Sequence, residues 1–416
     1  MNRYFCLPLI IIIIAGTMLQ ACKKNSSDTS STTTTTNVSK ASLVFAGNHN
    51  LLCCFNATNG QLKWSKAFDA RVQITPFYAN GWVYAASNGS LILGAPDFAI
   101  KKVHALDTLG NLKWSQPILC FYIEVNNGVV YAYSSTTVTA MNATTGTILW
   151  SFDYTIVPPV NTARTLGSRP VIYKGNIYAN TAYGFIALDA QTGAFKWKID
   201  NVGLHATRPK IIDDKAYLIN SIGNVNVINC NTGSIIWSKR LAGDHPITLN
   251  VVGNKLVIQD ELLNPSGSMV SVFDTSGNPI KKWSVNYSSV PPVQYSYNTC
   301  SPAFDGKYLH LMKYHLSQFM DVLDMETGVS FGQYGTGDYS LFSVSDVTLA
   351  GGFSFYSTSS SNAYNDTIIG QLYAKQINNN GVVANSGWQS SIRGNYRYTP
   401  CVVTADGKSH IGSEEY

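Results

Sequence analysis

Three cationic side chains of this 416-residue chain stand directly before proline, at Arg169-Pro170, Arg208-Pro209 and His245-Pro246. Thr75-Pro76, Ser301-Pro302 and Thr399-Pro400 carry the same step with a hydroxyl in place of the cation, and Arg71, Arg164, His205 and Arg397 lie a few residues upstream of such steps. A guanidinium presents a planar fork of donors that fits a carboxylate or a phosphate, so several at one place would hold an anion by charge-assisted hydrogen bonds. The chemistry on offer is capture of an acidic group, with Arg71, Arg169, Arg208, His245 and Arg397 as the candidate residues. The alternative is local: each arginine pairs with a nearby carboxylate or stays in water.

Other chemistry is hard to assemble from this chain. Asp107, Asp189, Asp274 and Asp324 recur at one kind of turn, and Asp213, Asp214, Asp305 and Asp406 at a second. Glu124, Asp260, Glu261, Asp338 and Asp346 remain, and no spacing pairs two of them as acid and base. Nucleophile-elbow, zinc-protease, phosphate-loop and EF-hand patterns are absent from the sequence. His310 and His315 are five apart in an expected strand, so they face opposite sides and make no metal pair. Cys53, Cys54, Cys120, Cys230, Cys300 and Cys401 show no ligand spacing and read as free thiols packed as small hydrophobes, although an exported chain could oxidise them. No cofactor and no metal are expected.

The elements that position the cations are announced by tryptophan. Of eight tryptophans, seven end copies of one phrase, the clearest running from Ala187 through Asp189, Thr192 and Gly193 to Trp197. The others end at Trp64, Trp114, Trp150, Trp237 and Trp283, with a weaker copy at Trp388 and one in which Phe331 stands near the expected ring. Apolar residues alternate on either side of an Asx-x-x-Thr-Gly segment, which describes two half-buried strands joined by a tight turn. Each phrase is a β-hairpin. A second hairpin precedes it, with turns at Ala79, Asn126, Tyr173, Asp213, Val252 and Phe304.

Two hairpins make a four-stranded unit, and eight phrases over residues 41–416 give about 47 residues per unit, within the range of propeller blades. The first phrase is preceded by a single short strand from Ser42 to Gly47, whereas the last is followed by a strand-like stretch from Tyr398 to Thr404. That stretch is expected to complete blade one and remove the open sheet edge. The fold class is therefore all-β, an eight-bladed propeller of four-stranded antiparallel blades. Arg169, Arg208 and His245, at one repeat position on three successive blades, then fall near one mouth of the central channel, with Arg71 and Arg397 in reach.

Ala-x-Asp-x-x-Thr-Gly-x-x-x-Trp resembles the tryptophan-docking repeat of pyrroloquinoline-quinone-type propellers, shared by quinone-dependent alcohol dehydrogenases and the propeller lipoprotein of the outer-membrane barrel-assembly machinery. The resemblance covers nearly all of the chain beyond its N-terminal segment. It implies that the rings of Trp64, Trp114, Trp150, Trp197, Trp237, Trp283 and Trp388, and of Phe331, pack between neighbouring blades. Family dehydrogenases carry a calcium-binding Glu, Asn and Asp set with a catalytic Asp, and no matching motif is found here. A vicinal disulfide near the cofactor marks some of those enzymes, but Cys54 occupies the small strand position of Ala140 and Ala187.

Location is written at the N-terminus. Arg3 precedes an apolar run from Leu7 to Met18 and then Leu19-Gln20-Ala21-Cys22. The run is too short for a permanent membrane span and reads as an export signal. Leu-Gln-Ala-Cys resembles the bacterial lipobox, which implies cleavage before Cys22 and lipidation of its sulfur, and Lys23 rather than Asp after it points to the outer membrane. Residues 1–21 are thus expected to be a signal peptide, 22–40 a lipidated Ser/Thr-rich tether, and 41–416 the propeller.

With 29 basic and 24 acidic residues the net charge is +5, too small and too scattered for a nucleic-acid footprint. The expected partner is another envelope protein, bound by a monomeric, non-catalytic scaffold that meets the membrane through lipid alone, on its periplasmic face or at the cell surface. Longer insertions at Leu91 to Lys102, Leu262 to Ser268 and Thr358 to Asp366 offer a second binding rim. The alternative is a binder of small ligands or glycans, or a degenerate quinone-dependent dehydrogenase, using the channel mouth.

Overall fold

Eight antiparallel sheets follow one another along the chain and form an eight-bladed β-propeller, each blade built on four strands. The computed structural model describes residues 39–72, 74–89, 100–157, 166–182, 184–202, 208–243, 245–263, 266–288, 301–313, 319–335, 343–359, 370–377, 383–390, 398–412 and 414–415. Among these the only helical segment is the 3-10 turn Tyr154–Ile156.

Blade four shows the plan. Its strands Val171–Tyr173, Asn176–Thr181, Gly184–Asp189 and Phe195–Asp200 pair in chain order, the first at the hub and the last at the rim. The two middle strands are buried almost end to end, because both faces of a blade are covered by its neighbours. Ile177, Ile186 and Leu188 pack with Tyr131 and Ala140 of blade three, while Tyr178, Phe185 and Ala187 pack with Leu218 and Ile228 of blade five. Alternation on two buried faces explains the near-continuous apolar runs.

The rim-side turns are fixed by their Asx residue. The carboxylate of Asp189 accepts from the backbone N–H groups of Gln191 and Thr192 at 3.0 Å each, and Gly193 closes the turn at φ +74°. Asn142, Asn229 and Asp324 accept in the same way. The side-chain amide of Asn111, and then Lys113, hold Asp107 well below the usual carboxylate range, and the Ser276 hydroxyl leads the same effect on Asp274. A carboxylate depressed in the folded state adds stability above its unfolded pKa of about 3.9 and loses it as pH falls through the folded value. This contribution to the denaturant midpoint is therefore expected to be lost progressively as pH falls below about pH 4. Asp107→Asn with Asp274→Asn should flatten that decline.

Neighbouring blades are joined by the indoles. Each points at the turn glycine of the next blade, where no Cβ intervenes: a methyl built on Gly193 would lie 2.5 Å from the Trp150 ring, and one on Gly146 2.7 Å from that of Trp114. The indole N–H groups of Trp64, Trp114, Trp197, Trp283 and Trp388 donate to the carbonyls of Thr108, Ala143, Cys230, Met325 and Ala57, at 2.8 to 3.2 Å. Trp237 sits more loosely, 3.8 Å from the corresponding point on Gly277. A second fastening was not foreseen: the hydroxyls of Tyr84, Tyr131 and Tyr178 donate to Ala143, Ala190 and Cys230 of the following blade.

Phe331 does not take the indole position. Ser330 pairs with Leu323 and Gly332 with Val322, so Phe331 is the extra residue of a bulge and Gly332 holds the register that Trp150 or Trp197 holds elsewhere. The phenyl ring instead meets Tyr308 of its own blade edge-on at 5.0 Å and stays 45% exposed.

The ring closes in blade one. Ala41–Asn48 pairs antiparallel with Cys401–Thr404, with Val44 opposite Val402, and the Ser42 hydroxyl donates to the carbonyl of Val403 at 2.9 Å. The chain then goes further than the sequence suggests: Ser409–Ile411 and Glu414–Glu415 add to the hub side and make blade one six-stranded.

Candidate functional site

The residues just upstream of each inner strand meet at the hub. Phe77–Ala79, Val171–Tyr173, Lys210–Ile212, Ala303–Phe304 and Cys401–Thr404 each begin two residues after the residue that precedes proline. Proline fixes φ and cannot donate to a sheet, so the ladder starts beyond it and the preceding side chain is released toward the channel. In blades two and eight the inner strand is interrupted, as Arg71–Val72 then Phe77–Ala79 and as Ser343–Val344 then Thr348–Ala350. Thr75 and Asp346 lie in those breaks.

These positions enclose a chamber of about 370 Å³ to which all eight blades contribute. Thr75 and Tyr122 come from blades two and three, Thr248 from six, Ser301 from seven and Thr399 from one. Among the described residues its charged ones are Arg169 of blade four, Arg208 and Lys210 of blade five, and Asp346 of blade eight. Arg208 and Lys210 also line a second cavity of about 540 Å³, farther along the same inner strands, together with Glu124.

Electrostatics in the chamber are mixed but lean positive. Arg208 reaches Glu124 at 3.6 Å, as the local-pairing alternative anticipates for that residue. The Arg169 guanidinium lies 5.7 Å from the centre of the Phe77 ring. Burial, reinforced by Arg208 and Arg169 and opposed by Asp346, brings the Lys210 ammonium down to about 7. Burial raises the Asp346 carboxyl, against the Ser301 N–H that it accepts at 2.6 Å and the charge of Lys210. The hydroxyls of Ser168 and Thr248 are buried on the chamber wall with no hydrogen-bond partner among the described residues.

Of the five cations expected at one mouth, the chamber brings together Arg169 and Arg208. His245 is exposed and its carbonyl accepts from Glu261, while Arg71 pairs in sheet register with Asn88, and neither lines the two cavities. Arg397, Arg164, His205, Cys22, Asp338, His315, Cys300 and the cores of the three insertions lie outside the described residues. Lys210 and Asp346 were missed. A lysine two residues after Arg208 was a visible signal for the first, since two steps along a strand return to the same face.

The remaining candidates have structural partners. Cys53, Cys54, Cys120, Cys230 and Cys401 are buried free thiols, and burial pushes each up to about 12, far from thiolate reactivity. Cys54 faces Trp64 in register, as Ala140 faces Trp150. His310 is buried against Asp305 at 2.9 Å. No group of three His, Cys, Asp or Glu that could hold a metal occurs among the described residues.

Comparison with known proteins follows the repeat. A family model described as outer membrane protein assembly factor BamB matches residues 23–117 and 100–202. BamB of Shewanella oneidensis is 24% identical over 304 residues, which cover 67% of this chain and 73% of that one. The quinoprotein ethanol dehydrogenase of Pseudomonas putida is 29% identical over 121 residues, 27% of this chain and 19% of the enzyme, so the chain spans about a fifth of that relative. Among solved structures, BamB from Moraxella catarrhalis superposes with a TM-score of 0.55 at 13% identity, covering 83% of this chain and 95% of that one. The computationally designed Ika8 protein does equally well, at 0.56 with 11% identity over 83% and 96% of the two chains. A designed protein among the neighbours shows that such a likeness carries the fold alone.

The class is thus a propeller of pyrroloquinoline-quinone-like repeats. Within that class the chain resembles the assembly factor BamB, and these likenesses support a propeller scaffold.

Proposed function

We propose that this protein is a non-catalytic, lipid-anchored scaffold of the bacterial outer membrane that binds another envelope protein in outer-membrane protein assembly. The observation that carries this reading is the likeness to an assembly factor over 67% of the chain, against 27% for the dehydrogenase. Cys22 provides the anchor, residues 23–40 the reach, and the propeller a rigid body. Exposed apolar pairs on the outer strands, Ile148 with Leu149 in blade three and Ile235 with Ile236 in blade five, suit a protein partner better than water.

Two measurements test it. Replacing residues 1–22 by a cleavable export signal that lacks the cysteine is expected to move the protein from the outer-membrane fraction to the soluble periplasm, and persistence in the outer membrane would refute the anchor. In-cell cross-linking with mass spectrometry is expected to recover one envelope protein, with yield reduced by Ile235→Lys and Ile236→Lys together. Purification with a quinone absorption band, or oxidation of an alcohol by the quinone-loaded protein, would overturn the non-catalytic reading.

A further inference from the structure

We propose that the hub chamber is a binding site for a small molecule bearing a carboxylate or another oxyanion, gripped by Arg169, Arg208 and Lys210 and hydrogen-bonded by Ser168 and Thr248. This goes beyond the scaffold reading and does not rest on it. Among the described residues, three cationic side chains from two adjacent blades line one chamber of about 370 Å³, with the carboxylate of Asp346 on its wall and that of Glu124 against Arg208. Independently, two hydroxyls that line the same chamber, Ser168 at 4% and Thr248 at 6% exposure, have no hydrogen-bond partner among the described residues. Buried polar groups are rarely left so, and donors of this kind beside cations are what an oxyanion requires.

Size and wall decide between a small molecule and a loop of a partner protein. The volume falls at the low end of the ~300 to 1,000 Å³ of small-ligand pockets. The C-terminal strand Ser409–Ile411 lies on the hub side of blade one and puts Ile411 and Gly412 into the wall, narrowing the space a folded loop would need. That strand is pinned to the neighbouring blade eight, where the Gly412 N–H donates to the Thr348 hydroxyl at 2.9 Å. Ile123, Leu249 and Ile411 add apolar wall that suits the carbon skeleton of an organic acid.

Binding should be coupled to protons. Lys210 faces Arg208 on its own blade, Arg169 of blade four and Asp346 across the hub, while Glu124 of blade three pairs with Arg208. With its ammonium brought down to about 7, Lys210 is half neutral near pH 7, and an anion beside it favours the charged form. Binding therefore takes up a proton, and affinity falls as pH rises through about 7.

The test is calorimetric titration of the full mature protein with tartrate and with sulfate, neither of which titrates near neutrality. Binding is expected at about pH 6, with affinity about tenfold weaker at about pH 8. Tighter binding of tartrate assigns an organic acid, and tighter binding of sulfate a tetrahedral group such as phosphate. Arg169→Gln should weaken binding about tenfold or more. Lys210→Met should reduce the pH dependence, leaving what the Asp346 carboxyl contributes, and Thr248→Val, which preserves shape, should weaken binding severalfold. Arg208→Gln also breaks the contact with Glu124, so the Lys210 and Thr248 variants decide the matter if it fails to fold. Absence of binding at about pH 6, an equal response to chloride at matched ionic strength, or unchanged affinity in both Lys210→Met and Thr248→Val would overturn the site.

Discussion

Trp114→Ala is expected to lower the unfolding free energy by about 3 to 5 kcal/mol, read as a lower urea midpoint at an unchanged slope. The ring is the most enclosed of the seven indoles, packed on the bare Cα of Gly146 with its N–H on the Ala143 carbonyl at 2.9 Å and Tyr84 6.1 Å away. Truncation leaves a void between blades two and three that rigid sheets cannot close. Gly146→Ala should cost about 2 to 4 kcal/mol for the complementary reason, since its φ is +73° and its new methyl would enter the indole. Because ring and glycine share one contact, the double variant should lose less than the sum of the two. Strict additivity would show that the indole does not act through this joint.

Ending the chain after residue 400 is expected to be still more damaging. It removes Cys401, Val402 and Val403, all buried against the first strand, at about 1.5 to 3 kcal/mol each, and the hairpin beyond them. It also strips one edge of Ala41–Asn48, leaving unpaired backbone donors and acceptors that invite pairing between molecules. Size-exclusion chromatography should show oligomers, and thermal unfolding should become broad and less cooperative. A peptide of residues 398–412 added in trans should restore the monomer. A truncated protein that stays monomeric with an unchanged transition would mean that the seam contributes little.

Much of this architecture is legible in the chain because the repeat writes one physical solution many times over. Asp189 and Gly193 state a turn, Ala187 and Trp197 state two facing strands, and the surplus strand at one end with a missing one at the other states the closure. Single instances are harder to read. Phe331 misled because an aromatic residue one place early looks like the ring it replaces, whereas strand register, which a bulge shifts by one, decides which residue faces the neighbour. The hub was half legible. Proline marks where Arg169 and Arg208 leave the ladder, but Asp346 enters from a strand broken without proline, and Lys210 is the first residue of its strand. The extra strand Ser409–Ile411 had one signal, Asp406-Gly407 just after an apolar run, a dipeptide that favours tight hairpins.

Gly332 has a consequence of its own. In a loop of like links, each clasping the one ahead, blade seven offers no clasp where its neighbours offer an indole. Local opening in proteins begins where side-chain contacts are thinnest. At that joint the grip passes to a patch of rings and aliphatic groups, Tyr308, Met320 and Val322 packed with Val347, Tyr356 and Tyr373, and backbone amides there are expected to exchange with solvent hydrogen sooner than those beside an indole.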